Sequence, residues 1–404
     1  MFPKLRFKEF DGDWQKTTIG AKSEIVTSGS RDWAQYYSDS GDKFIRMTNL
    51  VRNGINLDLS DLRFVQLPVG SNEGKRTSLE KGDILISITA ELGKLGWIPE
   101  GLGTAYINQH TALVRMKNTL DSKFVAYALS TEKYNNKLNS LNDSGAKAGL
   151  NLGSIRSFEL TIPSKPEQTQ IASFLSAVDE KISQLTKKHE LLSQYKQGMM
   201  QKLFSQQIRF KADDGSEFGE WESKTLGDVA DIVGGGTPST NNEEYWNGNV
   251  AWLTPSEINK KFIGRSKRTI SEFGVQKSSA KKLPIGTVLF TSRATIGEVA
   301  ISTAQVTTNQ GFQSFIVNSK ILNEFLYYWI VKNKQQFIER ASGSTFLEIS
   351  KSKIQPMKIL LPCIEEQTKI ASFLSAIDQK IEVVAQQIEQ AKQWKKGLLQ
   401  NMFI

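Results

Sequence analysis

The sequence predicts an α+β protein built twice over: two similar mixed α/β domains separated by two long helices of coiled-coil type. Three observations predict it. Glu167–Phe204 (EQTQIASFLSAVDEKISQLTKKHELLSQYKQGMMQKLF) returns as Glu366–Phe403 (EQTKIASFLSAIDQKIEVVAQQIEQAKQWKKGLLQNMF), a period of 199 residues. That is far longer than the roughly 20 to 50 residues of stacked repeat units, so it marks a duplicated domain-plus-helix. Each copy also carries an apolar ladder spaced alternately four and three apart, and the stretches ahead of the two copies echo each other more faintly.

The ladders give the helices their type. The first runs through Ile171, Leu175, Val178, Ile182 and Leu185 and continues past His189, Leu192, Lys196 and Met199 to Leu203; the second runs through Ile370, Leu374, Ile377, Ile381 and Val384 and on to Met402. A heptad seam held over about five heptads between charged and Gln-rich flanks argues for a coiled coil. At 1.5 Å per residue each such helix would be roughly 57 Å long. Pro163, Pro166 and Pro362 suit the helix starts. His189, Lys196 and Lys395 interrupt the seam, and polar residues there commonly set register and partner choice. The boundaries that follow are a first domain at 1–163, a first long helix at 164–206, a second domain at 207–362 and a second long helix at 363–404.

The domains match at intervals. Arg6-Phe7-Lys8, Trp14 and Thr18-Ile19-Gly20 correspond to Arg209-Phe210-Lys211, Trp221 and Thr225-Leu226-Gly227. GDILISITAELG (Gly82–Gly93) corresponds to GTVLFTSRATIG (Gly286–Gly297), Asn108-Gln109 to Asn309-Gln310, the helical stretch Phe124–Leu129 to Phe325–Ile330, and Ser144-Gly145 to Ser342-Gly343. Ile84–Thr89 and Val288–Ser292 read as strands bounded by glycine. By contrast Val26–Lys75 and Val233–Lys282 look unrelated and are rich in Gly, Asn, Ser, Arg and aromatics. One scaffold with divergent polar loops is the pattern of two binding domains with different targets.

Composition narrows the partners. Among 404 residues the net charge is +9, and the pI is near 9.3, which favours a polyanion. Cys363 is the only cysteine, which excludes intramolecular disulfides and points to the cytoplasm; no stretch approaches a membrane span. With only His110 and His189 available, histidine triads and multi-histidine metal sites lack material. Glu222 and Lys224 after Asp213 and Asp214 resemble a nuclease motif by chance, since Gln15 and Thr17 replace the pair in the first half. No Asn-Pro-Pro-aromatic tetrapeptide of amino methyltransferases occurs. The chain reads as a binder without catalytic or metal residues.

Reading base edges calls for Arg or Lys toward guanine and Asn or Gln toward adenine, with further cations for phosphates. The first domain offers Arg31, Arg46, Asn49, Arg52, Lys75, Arg76, Lys94, Asn108 and Gln109. The second offers Lys260, Lys261, Arg265, Arg268, Arg293, Asn309 and Gln310, and the glycine loop before Thr237 suits a phosphate contact through its amides.

LFTSRATIG (Leu289–Gly297), Thr308-Asn309-Gln310-Gly311-Phe312, the loop GGGTPS with Tyr245-Trp246, and the Glu-Gln-x-x-IASFLSA-x-Asp-x-Lys-Ile opening of each long helix closely resemble the specificity subunit of type I restriction-modification enzymes. The resemblance covers essentially the whole chain. The first half departs from it, with Thr89 in place of Arg293 and His110 in place of Gly311. The resemblance implies two target recognition domains on a pseudo-twofold scaffold, each reading one part of a bipartite, asymmetric site in double-stranded DNA. It also implies that the long helices pair antiparallel as a spacer. It implies docking of two modification subunits, which bind S-adenosylmethionine, and of two restriction subunits, which use ATP and magnesium, with no cofactor in this chain. The competing expectation is a coiled-coil scaffold that binds RNA or another polyanion without sequence specificity.

Overall fold

The computed structural model describes residues 3–141, 149–343 and 347–403; Ser144-Gly145 lies outside them. The chain divides into two compact units, Met1–Thr186 with Gln386–Ile404, and Lys187–Ala385. The division runs through both long helices, Lys165–Phe204 and Ile364–Met402. Each unit therefore holds one α/β domain, the half-helix that follows it, and a half-helix from the other repeat.

In the first unit the strands are β1 (Gln15–Thr18), β2 (Ser23–Ser28), β3 (Tyr37–Ser38), β4 (Asp42–Ile45), β5 (Arg63–Val65), β6 (Ile84–Ser87), β7 (Leu95–Trp97), β8 (Ala105–Ile107), β9 (Thr111–Met116) and β10 (Glu159–Ile162). They form a sheet of order β2-β9-β6-β7, a second of order β3-β5-β4-β8, and the antiparallel pair β1-β10. The second unit has β11 (Glu222–Thr225), β12 (Ala230–Gly234), β13 (Trp246–Leu253), β14 (Phe262–Ile263), β15 (Arg268–Ile270), β16 (Val288–Phe290), β17 (Val299–Ser302), β18 (Val306–Thr308), β19 (Gln313–Val317) and β20 (Lys358–Leu361). Their orders are β12-β19-β16-β17-β14, β15-β13-β18 and β11-β20. The topology largely repeats, including the parallel pairs β4-β8 and β13-β18; the second unit differs in adding β14 beside β17 at the edge of its larger sheet and in running one long, bulged β13 where the first has β3 and β4. So the stretches that look unrelated in sequence share a scaffold.

The central strands are apolar without alternation because both faces are covered. Ile84 and Ile86 enter one core while Leu85 enters a second, and Val288 and Phe290 divide from Leu289 in the same way. One of these cores in each unit is built against the long helices. Ile171, Leu175 and Val178 pack with Phe124, Tyr127, Leu398 and Met402; Ile370, Leu374 and Ile377 pack with Phe325, Tyr328, Met200 and Leu203. In both units the N-terminal half of one helix meets the C-terminal half of the other, which is an antiparallel pairing. Ile171, Leu175, Val178, Leu185, Ile370, Leu374, Ile377 and Val384 are buried, and Ile182 and Ile381 half-buried.

Two polar devices fasten each domain to its helices. At the helix start, buried Glu167 accepts from Arg6 Nε at 2.7 Å and Nη2 at 2.8 Å and from the Trp14 indole at 3.3 Å. Glu366 does the same for Arg209 (3.0 and 2.7 Å) and Trp221 (3.1 Å). The carboxylate bond raises both guanidinium pKa values. Further along, Lys395 pairs with Asp179 at 2.5 Å, and Asp179 accepts from the Tyr127 hydroxyl at 2.8 Å. Lys196, Asp378 and Tyr328 repeat this at 2.5 and 2.6 Å. The lysines that break the apolar seam are thus the cations of helix-to-helix ion pairs.

Candidate nucleic-acid interface

In both units the site grows from one junction, where the loop leaving the first strand of the larger sheet crosses the Asn-Gln segment. Gly29 and Gly235 make the crossing possible: a Cβ on Gly29 would lie 2.1 Å from the Ile107 carbonyl oxygen, and on Gly235 2.0 Å from that of Asn309. Backbone bonds close the junction, Gln109 N to Ser30 O at 3.0 Å and Gly236 N to Thr308 O at 2.8 Å. The glycine amides before Thr237 are therefore bonded within the protein. The loop's offering is its side chains: exposed Arg31 in the first unit, and Thr237, whose hydroxyl donates to Gln310 Oε1, in the second.

The adjoining turns differ in chemistry while keeping their geometry. Ala90 and Ala294, at matching positions, have φ of +56° and +64°. Left-handed backbone at a non-glycine residue costs on the order of 1 kcal/mol and collects at functional sites. The residue before each carries the difference. Thr89 Oγ1 lies 2.8 Å from His110 Nδ1, and Gln109 Nε2 lies 3.1 Å from His110 Nε2. In the second unit Arg293 donates to Glu348 Oε2 from Nη2 at 2.6 Å and from Nε at 3.1 Å, on a half-exposed pair. Asn108 and Asn309 use their side-chain oxygens to cap the backbone two residues on, at 3.1 and 2.9 Å.

The remaining candidates fall into two groups. Several are engaged by the scaffold. Asn49 is fully buried, accepts from Arg46 N at 2.9 Å and donates to Asp58 O at 2.8 Å; Glu257 caps Thr254 N at 2.8 Å in the matching place. Lys261 reaches Glu324 (2.5 Å), Tyr328 (3.0 Å) and Ser375 (3.2 Å), which ties the tip of the second domain to its helix. Arg46 pairs with Asp61 at 2.6 Å, Arg52 donates to Leu92 O at 3.3 Å, Lys75 to Asn72 at 2.7 Å, Arg76 to Thr27 and Ser28, and Lys94 pairs with Glu91. Others present free charge: Arg31, Lys260 and Arg265 are exposed and, among the described residues, make no ion pair. Arg268 is exposed with its guanidinium 3.8 Å from the centroid of Trp246 and 5.5 Å from that of Trp252. Both indoles donate to the glycine loop, Trp246 to Ser239 O at 3.0 Å and Trp252 to Gly236 O at 2.9 Å. A stacked arginine over a fixed aromatic plane is a pre-organised fork for a base edge or a phosphate.

These two loop-and-strand edges, alike in backbone and unlike in side chains, define a class of duplicated recognition module. The chain belongs to the family of the type I restriction modification DNA specificity domain, which matches residues 12–193 and 219–393. It is 38% identical over 207 residues to the type I restriction enzyme MjaIX specificity subunit of Methanocaldococcus jannaschii, covering 50% of this chain and 48% of that one, so it spans about half that relative's length. It is 27% identical over 418 residues to the putative type I restriction enzyme MjaX specificity subunit of the same organism, covering 98% of this chain and 94% of the relative. The fold is similar to the crystal structure of a type I restriction-modification system S subunit from M. genitalium, with TM-score 0.63 and 16% identity over 100% of this chain and 99% of that one. Among the described residues no helix is long and apolar enough to cross a membrane.

Proposed function

We propose that this chain is the non-catalytic, sequence-specifying subunit of a type I restriction-modification complex. Each unit reads one half of a bipartite, asymmetric site in double-stranded DNA, and the chain docks two modification subunits and two restriction subunits in the cytoplasm. S-adenosylmethionine, ATP and magnesium belong to those partners. The observation that carries this reading is the repetition of one backbone junction with two different side-chain sets, Thr89–His110–Gln109 with Arg31 in one unit and Arg293–Glu348 with Thr237–Gln310 in the other. Two copies of one reader would present the same atoms twice. Two unlike readers on one scaffold suit an asymmetric site.

The long helices serve as the spacer in this reading. B-DNA advances about 3.4 Å per base pair and a helix turn about 5.4 Å, so inserting one turn in each helix should lengthen the gap between half-sites by one to two base pairs.

The test exchanges 233–282 for the matching stretch of another family member and maps methylated adenines in cells. The expected result is a change in one half-site with the other retained. Methylation altered at both, or at neither, overturns the modular reading. Equal affinity for RNA and duplex DNA, with a steep salt dependence and no preferred sequence, would instead favour a polyanion scaffold.

A further inference from the structure

The pairing registers of the two smaller sheets assign a contact residue in the first unit that sequence comparison does not reach. In the second unit, Trp252 on β13 lies opposite Thr307 on β18 and, on its other side, opposite Arg268 on β15. In the first unit, Phe44 on β4 lies opposite Tyr106 on β8 and, on its other side, opposite Arg63 on β5. The outer frame is common, because Tyr106 and Thr307 each stand two residues before the asparagine of the Asn-Gln segment. Phe44 therefore matches Trp252, and Arg63 matches Arg268.

A second register leads to the same alignment. Val65 pairs with both Asp42 and Tyr37, and Ile270 pairs with both Val250 and Trp246. So Tyr37 matches Trp246. The aromatic pairs agree with this, since the Tyr37 and Phe44 rings lie 5.6 Å apart and the Trp246 and Trp252 rings 5.1 Å apart. Residues directly opposed on neighbouring strands project from the same face, so Arg63 and Arg268 project from the same face of matching sheets beside matching aromatic pairs. The connection from Tyr37 to Asp42 is one residue longer than that from Trp246 to Val250, and tyrosine and phenylalanine stand for two tryptophans. That length change and those replacements hide the correspondence from a residue-by-residue comparison.

The state of the side chain decides what the match means. Arg63 is exposed and, among the described residues, makes no ion pair, whereas Arg46, Arg76 and Lys94 of the same unit are bonded to their own chain. An arginine fork on a rigid strand is the side chain that matches a guanine edge through two parallel hydrogen bonds. We propose that Arg63 is a base-contacting residue of the first unit and reads a guanine in the major groove, as the counterpart of Arg268 in the second. This rests on the reading of the chain as a duplex-DNA specificity subunit.

The experiment uses the full chain, purified from its own cells with the subunits that accompany it, and duplex DNA with a random core. Bound duplexes are recovered over several rounds and sequenced. The wild type should enrich two constant blocks separated by a constant gap. Arg63→Ala should relax one G·C position in one block and leave the other block intact, while Arg268→Ala relaxes a position in the opposite block. Duplexes carrying the preferred guanine should lose on the order of tenfold to a hundredfold in affinity for the variant. Arg63→Lys keeps the charge and loses the fork, so it should relax the same position while leaving binding to random duplex nearly unchanged; it also serves where Arg63→Ala does not fold. A uniform loss of affinity with no relaxed position would make Arg63 a phosphate contact and overturn the proposal. So would relaxation of both blocks at an unchanged melting temperature, or of the block that Arg268 controls. Failure of the wild type to enrich any sequence would overturn the DNA-specificity reading itself, a separate result.

Discussion

The two units agree where they grip their helices and disagree where they meet the outside. Arg6–Glu167–Trp14 and Arg209–Glu366–Trp221 have the same chemistry and nearly the same distances, as do Tyr127–Asp179–Lys395 and Tyr328–Asp378–Lys196. At the outer junction a Thr–His–Gln cluster in one unit stands where an Arg–Glu pair and a Thr–Gln pair stand in the other. The difference separates two jobs. Side chains that hold the frame to its helices are the same in both units, whereas those at the junction differ over a backbone that is closed by its own hydrogen bonds in both.

The comparison is broken most forcefully at the buried carboxylates. Glu167→Ala or Glu366→Ala leaves an indole N–H without its acceptor and a guanidinium without the buried carboxylate, still bonded to the carbonyl of Gly12 or Gly219, and each should cost about 3 kcal/mol of unfolding free energy in chemical denaturation. The two losses should be alike; a large loss in one unit and none in the other would end the claim of equivalent latches. Next come the seam lysines. Lys196→Met and Lys395→Met each strip an acid of its cation, with an expected loss of about 2 kcal/mol, and pairing Lys196→Met with Asp378→Asn should recover part of it in a double-mutant cycle.

A smaller effect sharpens the contrast at the junction. The Arg293–Glu348 pair is more than a third exposed, so Arg293→Ala should change stability by less than about 1 kcal/mol. If Arg293 faces DNA, that variant should nevertheless weaken discrimination at one half-site, and a melting temperature lowered with specificity intact would assign it to the scaffold. The smallest effect is with pH. Burial, reinforced by the neighbouring aspartate, raises the pKa of the Tyr127 and Tyr328 hydroxyls above the ordinary value of 10. The stabilising contribution of the neutral phenols is complete below pH 10 and is lost as the pH climbs above it, because the unfolded chain ionises first. Tyr127→Phe and Tyr328→Phe should each flatten the alkaline fall of the melting temperature.

Much of this frame was legible from residues alone. The 199-residue period, the heptads and the paired Trp14 and Trp221 are local or repetitive signals, and the two long helices, the strands near Ile84 and Val288, and the helices near Phe124 and Phe325 follow from them. The role of Lys196 and Lys395 was legible only as an interruption, since their acids lie on the other helix. The smaller sheet was not legible. Its strands are two to eight residues long and gain their partners from β8 and β18, far away in the chain, so Val26–Lys75 and Val233–Lys282 look unrelated while folding alike. Exposure was equally hidden: Asn49 and Lys261 have the side chains of base readers, yet capping hydrogen bonds and Glu324 draw them inward.

The contacts at Gly29 and Gly235 have a consequence for how such a molecule can change. With the Cβ position already occupied by carbonyl oxygen, neither loop can be lifted or lowered by substitution at its root. Mutation downstream can alter which donors and acceptors are offered without altering the height or angle at which they are held. In the proposed reading, a new preference can therefore be acquired one side chain at a time, without disturbing how the other unit would meet its own half-site.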